Sequence, residues 1–557
     1  MSHSRWNPLP PIPERHRLNS AGLNRIVAQL LYNRGLTEPS QLEIFFAADE
    51  RLSNDPFLLP GVHEAVTRIY RALLSGEKIA VYGDFDTDGV TATALMVQGL
   101  SALGCQAIPY IPHRLTEGYG LKNAALEKLC QEGTSLVITV DCGITALREV
   151  KKANQLGIDV IITDHHTPPD IIPSATAVIN PKLSDSNYPF TDLAGVGVAL
   201  KLMQALFKNL GKEGLINELI DLVALGTVAD VVPLLEENRY VVKQGLKRLN
   251  DCPRLGVQEM INLAGLKTGK LDSESISWTI APRLNAAGRL EHAIQSYQLL
   301  MTKSTEEARE LALWLEQKNT ERQNLTVRAL TKAREQIEVR GILPLLITGD
   351  CDFQAGICGL VAGKLSEEYY RPAIVIRTGD QFSSGSCRSI PEFNIIGALT
   401  KCSRLFTQFG GHPQAAGFTI LTRNLPYLEQ ALLEIATAEL AGVDLRPTID
   451  VDAEITLRDL GGNTFPSIQK LAPFGQGNPA PTFLSRWVEV IDSRSMGNGE
   501  HLRLKLKQGG TIWDGVGFGL GKSEVFPLLN IVFNMEMDRW NGEERLRLNI
   551  LDFEAAK

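Results

Sequence analysis

Over much of the first half of the chain, short β-branched apolar runs alternate with stretches of helical periodicity. Lys78-Ile79-Ala80-Val81-Tyr82 reads as a buried strand, and the segment from Val90 to Leu100 repeats its apolar positions as a helix does. Leu136 to Val140 and Val160 to Thr163 have the same buried-strand character, and Asp221 to Asp230 places a further apolar run before a carboxylate. The alternation over residues 73–235 predicts a parallel sheet covered by helices. Farther on, Ser304-Thr305-Glu306-Glu307 has the form of a capping box, Gly341 marks a helix end, and no proline intervenes. Ala308, Leu311, Leu315, Leu330 and Ile337 favour one side of that stretch, which predicts a long strut helix within a helical connector over residues 236–342. A second α/β lobe follows over residues 343–441, with Leu345-Leu346-Ile347 and Ala373 to Ile376 as strands.

Near the C-terminus the period changes to two. In His501-Leu502-Arg503-Leu504-Lys505-Leu506-Lys507 leucines alternate with cations, and Arg545-Leu546-Arg547-Leu548 repeats the device. Among short strands and glycine turns, residues 446–557 predict a small barrel with a basic face, compatible with an OB-fold that follows a phosphate backbone. Alternation alone more often means an ordinary solvated strand face. Residues 1–72 read as a helical lead-in without catalytic signals.

At 557 residues, with 44% hydrophobic and 22% charged residues, the chain has the composition of a soluble protein of several domains. No apolar run is long enough to span a bilayer, and Met1 to Arg17 is polar and proline-rich without the apolar core of a signal peptide, so a cytoplasmic protein is expected. The 8 cysteines form no Cys-x-x-Cys pair, as expected of reduced structural thiols. A net charge of −8 argues against a protein that coats nucleic acid nonspecifically. It does not exclude an enzyme that threads one strand, which needs positive charge only locally.

The candidate chemistry lies where the apolar runs stop. Asp84, Asp86 and Asp88 occupy alternate positions directly after the first strand, a density of hard oxygen donors that suits Mg²⁺ or Mn²⁺. Alone, the loop reads as a metal site or as a solvated acidic turn. Asp141, Asp164-His165-His166 and Asp230 follow later apolar runs, and each has a bland explanation as a cap or a satisfied polar residue. Converging on one sheet edge, they supply what a two-metal site needs. In the second lobe, Ser384-Gly385-Ser386-Cys387-Arg388-Ser389 offers the ingredients of an anion cradle or simply a turn, and Phe409 to Gly417 carries a glycine-hinged histidine, His412.

Asp164-His165-His166 and the loop Gly83 to Gly89 resemble the DHH phosphoesterase superfamily. Further runs bring the chain close to the RecJ family of single-strand-specific DNA exonucleases: Ile111 to Leu121, Gly226 to Leu234, Ala281 to Leu290, Gly410 to Phe418 and Leu471 to Pro481. The resemblance implies a DHH-type parallel-sheet domain, linked by a long helix to a second, DHH-associated α/β domain, plus a C-terminal β-barrel OB-fold. It implies a metal-dependent 5′ to 3′ exonuclease that degrades single-stranded DNA to mononucleotides in recombination and repair. Two ions, Mn²⁺ or Mg²⁺, are expected on Asp86, Asp88, Asp141, His165 and Asp230. Asp141 is expected to bridge them, and Asp84 to be a ligand or to support one. His166 is expected to contact the phosphate or relay a proton, and Asp164 to orient its neighbours. Ser386 and Arg388 would grip the terminal phosphate, His412 would face the scissile region, and Arg114, Arg283 and Arg289 are further phosphate candidates. Arg503, Lys505, Lys507, Arg545 and Arg547 are the barrel's candidates for the strand. A monomer served by a helicase and a single-strand-binding protein is expected. Where relatives commonly read Trp-His-x-Gly the chain has Phe353-Gln354-Ala355-Gly356, so that histidine's role does not transfer to Gln354; no extra C-terminal domain is expected either. The rival readings are a phosphodiesterase for oligonucleotides or cyclic dinucleotides, and a non-catalytic DNA-binding relative; the intact acids and histidines count against the second.

Overall fold

Five short strands carry the metal-ligand candidates. Ile79, Val81 and their neighbours build β1 (Lys78–Gly83), which leads into helix α1 (Thr87–Ala102). β2 (Gln106–Tyr110), β3 (Thr134–Val140), β4 (Asp159–Thr163) and β5 (Ala177–Ile179) complete an all-parallel sheet in the order β2-β1-β3-β4-β5. Both faces are covered, which is why its central strands are apolar at nearly every position. Asp84, Asp141 and Asp164 follow β1, β3 and β4, so three adjacent strands deliver their carboxylates to one edge.

The computed structural model describes residues 4–20, 22–114, 116–538 and 544–556; Leu115, within the run Ile111 to Leu121, lies outside them. The chain divides into two units, Ser53–Leu445 and Met1–Leu52 with Arg446–Lys557. In the first, the run before Asp230 is not a strand but helix α2 (Ile220–Ala229), and Asp230 is its C-cap. Nearly every α2 residue is buried, and an all-round apolar helix has no polar face to distinguish it from a buried strand. α3 (Ala281–Leu290) continues a π-helical turn, Ser275–Ile280.

The strut is α4 (Thr305–Arg340), 36 residues long, capped by the Ser304 side chain, which accepts from the Glu307 N–H, and ended at Gly341. Ala308, Leu315, Leu330 and Ile337 are buried along it. The second lobe of this unit contains β6 (Leu346–Asp350), α5 (Ala355–Tyr369), β7 (Ala373–Arg377), β8 (Phe382–Arg388), β9 (Phe406–His412) and β10 (Ala415–Leu421), with strand order β9-β10-β8-β7-β6. The serine-glycine segment is thus a strand rather than a loop or turn: Ser386 pairs with Val375 on one side and Gly417 on the other.

In the other unit, β11 (Ala453–Glu454), β12 (Phe483–Met496), β13 (His501–Gln508), β14 (Thr511–Gly517), β15 (Leu528–Asp538) and β16 (Arg545–Ala555) form a sheet in which β12 also pairs with β15, closing a barrel. The N-terminal segment belongs here. Strand Arg5–Pro8 pairs in parallel with Thr448–Val451, and Ile26, Leu30 and Leu31 of helix Arg25–Asn33 share a core with Leu457, Phe483 and Leu502. The expected lead-in over residues 1–72 is therefore divided: helix Val62–Ser75 packs into the core of the sheet-bearing unit.

Candidate metal centre and phosphate cradle

The acidic loop is shaped by what it caps. Asp86 is the N-cap of α1, its Oδ1 accepting from the Gly89 N–H at 3.1 Å. Asp88 accepts from the N–H groups of Gly195 and Val196 at 2.6 and 2.9 Å. These donors belong to the first turn of helix Gly195–Asn209, whose positive end favours a carboxylate. Gly195 is required by proximity, since a Cβ there would lie 2.6 Å from Asp141 Oδ1. Asp141 itself has φ 60°, a strained conformation for a residue other than glycine, asparagine or aspartate.

Two donor groups result, joined by a third made of Asp141, His165 and His166. Asp84, Asp86 and Asp141 place one oxygen each within 4.8 Å of one another, and so do the ligand atoms of Asp88, His165 and Asp230. Asp141 Oδ1 lies 3.1 Å from His165 Nε2, and Asp230 Oδ2 lies 3.6 Å from the same nitrogen. These distances are short without hydrogen-bond geometry: Asp84 Oδ1, Asp141 Oδ1 and both ring nitrogens of His165 are buried with no hydrogen-bond partner. Buried polar atoms without partners are costly, and a divalent cation would satisfy them. The charges agree. Burial, then the neighbouring acids, pushes Asp84 and Asp141 well above the usual carboxylate range, Asp88 up to about 7 and Asp230 up to about 9. Burial holds His165 down to about 3, keeping its imidazole neutral and able to ligate. Carboxylates with neutral imidazole fit Mn²⁺ or Mg²⁺.

Asp164 has a different task. It is fully buried and accepts from the N–H groups of Ile144, His165 and His166 and from His166 Nδ1, the last at 2.7 Å. Burial disfavours its charge, but the His166 ring and these N–H groups hold its carboxyl below the usual range. In turn, burial opposes the charge on His166, yet the Asp164 bond and charge raise it. Sequence reasoning missed several supports. Tyr119 Oη lies 3.3 Å from His166 Nδ1, Asn180 donates to the His166 carbonyl at 2.9 Å, and Asn285 Oδ1 accepts from the Thr87 N–H at 3.0 Å. A lone tyrosine or asparagine within a helix or loop gives no signal of this.

Arginines flank the centre. The Arg114 guanidinium lies 4.6 Å from the Phe85 ring centroid, and burial lowers its pKa against the pull of Asp84 and Asp86. Arg289 is lowered to about 9 by burial and by the charges of Arg114, Arg322 and Arg388. Arg388 is lowered by burial and by Arg114. A buried cluster of like charges asks for an anion. Ser386 and Arg388 share one face of β8, where Gly359 of α5 leaves room: a Cβ there would lie 3.3 Å from the Arg388 guanidinium. Arg322, missed because it lies among the charges of α4, belongs to this group, with its buried Nε lacking a partner.

The remaining candidates fare unevenly. Arg283 is tied to Glu316 of α4 and to the Thr279 carbonyl, so its charge is already balanced, unlike that of Arg289. His412 sits exposed at the β9–β10 turn. Gln354 is the exposed N-cap of α5, and Phe353 is buried. On the barrel, Leu502, Leu504 and Leu506 face inward while Arg503 and Lys505 are exposed. The face is not purely basic. Lys507 pairs with Glu489 at 2.9 Å, Lys505 stands opposite Asp492 and Asp514, Arg545 stands opposite Asp538, and Arg547 bonds Asp538 and Glu536.

Comparison with known proteins matches these parts one by one. Residues 78–227 match the DHH family N-terminal domain, 343–438 the DHHA1 domain and 451–552 the RecJ OB domain. The single-stranded-DNA-specific exonuclease RecJ of Bacillus subtilis (strain 168) is 39% identical over 535 residues, covering 95% of this chain and 67% of that protein. RecJ of Escherichia coli (strain K12) is 34% identical over 522 residues, 88% of this chain and 90% of that one. RecJ of Thermus thermophilus, solved in complex with Mn²⁺, superposes with a TM-score of 0.86 at 29% identity, covering 99% of this chain and 80% of that one. A centre of acids and histidines, a cradle of arginines and likeness along nearly the whole length agree: this chain belongs to the RecJ family of DHH phosphoesterases.

Proposed function

We propose that the protein is a metal-dependent exonuclease that hydrolyses single-stranded DNA from its 5′ end, releasing 5′-mononucleotides. The observation that carries this reading is the pairing of a cation-demanding cluster, with its orphaned Asp84, Asp141 and His165 atoms, and an anion-demanding cluster of Arg114, Arg289 and Arg388 in one unit. Asp84, Asp86 and Asp141 would hold one divalent ion and Asp88, His165 and Asp230 a second, with Asp141 between them. When bound, such ions make the attacking water more acidic and neutralise charge on the phosphoryl oxygens.

The protein's own groups do the rest. Arg114, Arg289, Arg388 and the Ser386 hydroxyl grip the terminal phosphate, so the first nucleotide is held and the next phosphodiester becomes the scissile one. Asp164 engages Nδ1 of His166, which leaves Nε2–H to face the substrate. As the water oxygen loses a proton to solvent and bonds to phosphorus and the P–O3′ bond breaks, His166 in its protonated form, which Asp164 favours, would supply the proton that the leaving 3′ oxygen takes up. The exposed Arg503 and Lys505 of the barrel give a strand additional phosphate contacts. An enzyme confined to single strands needs duplex opened first, so a helicase and a single-strand-binding protein are the partners its role in recombination and repair requires. Among the described residues no helix is long and apolar enough to cross a membrane.

Oligonucleotides labelled at either end test the direction. The 5′ label should appear at once as mononucleotide and the 3′ label only at the end of digestion. Early release of the 3′ label contradicts the polarity, and hydrolysis confined to dinucleotides favours a small-substrate phosphodiesterase.

A further inference from the structure

The π-helical turn Ser275–Ile280 carries Trp278, which is 80% exposed. A tryptophan leaves a large apolar surface in water unless something covers it, and isolated π turns recur at functional sites. The turn is firmly held: the Thr279 carbonyl accepts from Arg283, which is tied to Glu316 of α4. It runs without a break into α3, and the spacing 278, 282, 285, 289 follows one helix face. On that face Asn285 accepts from the Thr87 N–H inside the metal loop, and Arg289 lies within the electrostatic reach of Asp86, Arg114 and Arg388. Ala281, where the turn meets α3, accepts through its carbonyl from Thr87 Oγ1. The order along the face is therefore phosphate cradle, metal loop, tryptophan. Eleven residues separate Arg289 from Trp278, about 16 Å at the rise of a helix.

From this alignment we infer that Trp278 is a stacking platform for a base of the retained strand, on the far side of the scissile phosphodiester from the terminal phosphate. The inference rests on the single-strand exonuclease reading above and adds to it a contact that tells a long strand from a short one. Every base has a π face, so the contact is indifferent to sequence. It suits an enzyme that must take each nucleotide in turn, because the strand stays held while the released mononucleotide leaves.

The test compares a 5′-phosphorylated dinucleotide, too short to reach the tryptophan, with a strand of about twelve nucleotides. In Trp278→Ala the ratio of kcat/KM for the long strand to that for the dinucleotide should fall roughly tenfold. Trp278→Phe should restore most of it, and abasic sites in the middle of the long strand should abolish the difference between wild type and Trp278→Ala. An unchanged ratio in Trp278→Ala, or an equal loss on both substrates as a merely structural residue would give, overturns the inference. A wild-type protein that cleaves neither substrate overturns the exonuclease reading first, and this one with it.

Discussion

At the scale of single residues the centre depends on side chains whose surroundings oppose their charge. Asp141 has a left-handed backbone, no hydrogen bond to Oδ1 and acids on several sides. Asp164, one strand away, is satisfied by three N–H groups and a ring nitrogen. The two aspartates are alike in sequence context, each following an apolar strand, and only the third dimension separates ligand from support. Asp164→Asn should keep the fold and lower kcat about 10- to 100-fold, the usual cost of disturbing a residue that orients a histidine of the site, measured by steady-state kinetics. Arg388→Ala should lose about tenfold or more in kcat/KM on 5′-phosphorylated strands and much less on 5′-hydroxyl strands, since a charge-assisted bond to the end is what it removes. Arg283 and Arg289, six residues apart on one helix, look equivalent in sequence, but Glu316 neutralises the first and other arginines crowd the second. Such pairing across elements leaves no trace in local sequence.

At the scale of elements, the strands and the strut helix were legible because their periods are clean. β1, β3 and β4 are apolar and β-branched, and α4 has a cap at its start, a glycine at its end and no proline between. The run before Asp230 was not, because α2 is buried all round, and a buried helix and a buried strand share one composition. The serine-glycine stretch failed for the opposite reason: its residues favour turns, and pairing with β7 and β10 imposes a strand. Close packing of α3 on the acidic loop gives this scale its own prediction. A Cβ at Gly288 would lie 2.4 Å from the Phe85 carbonyl oxygen, a backbone atom that cannot rotate away. Gly288→Ala should therefore destabilise by about 1–3 kcal/mol in urea unfolding, despite alanine's better helix propensity, and should weaken metal binding as the loop shifts.

At the scale of the whole molecule, sequence reasoning recovered the succession of parallel sheet, strut, second lobe and barrel, but not that the first 52 residues complete the barrel-bearing unit. That association rests on the pairing of Arg5–Pro8 with Thr448–Val451, contacts more than 400 residues apart, which no local pattern announces. The buried acids also make a global prediction. In the metal-free protein Asp88 titrates near 7 and Asp230 near 9, against 3.8 for an ordinary aspartate, so above neutrality the folded state binds more protons than the unfolded one. Stability must then fall as pH rises from 7 to 9. His165, lowered to about 3 from 6.5, works in the opposite sense only below pH 6.5, while His166, raised above 6.5 against its burial by Asp164, works in the same sense as the carboxylates. Thermal unfolding in EDTA should show a falling Tm between pH 7 and 9, and saturating Mn²⁺ should remove the fall by taking the protons' place.

The most direct test of the central claim is degradation of 5′-labelled single-stranded and duplex DNA by the wild-type protein and Asp141→Ala, each with Mn²⁺ and with EDTA. Labelled mononucleotide should come from the single strand alone, with Mn²⁺ alone and from the wild type alone. Degradation that persists in EDTA, or full activity in Asp141→Ala, would contradict a metal centre built on these residues.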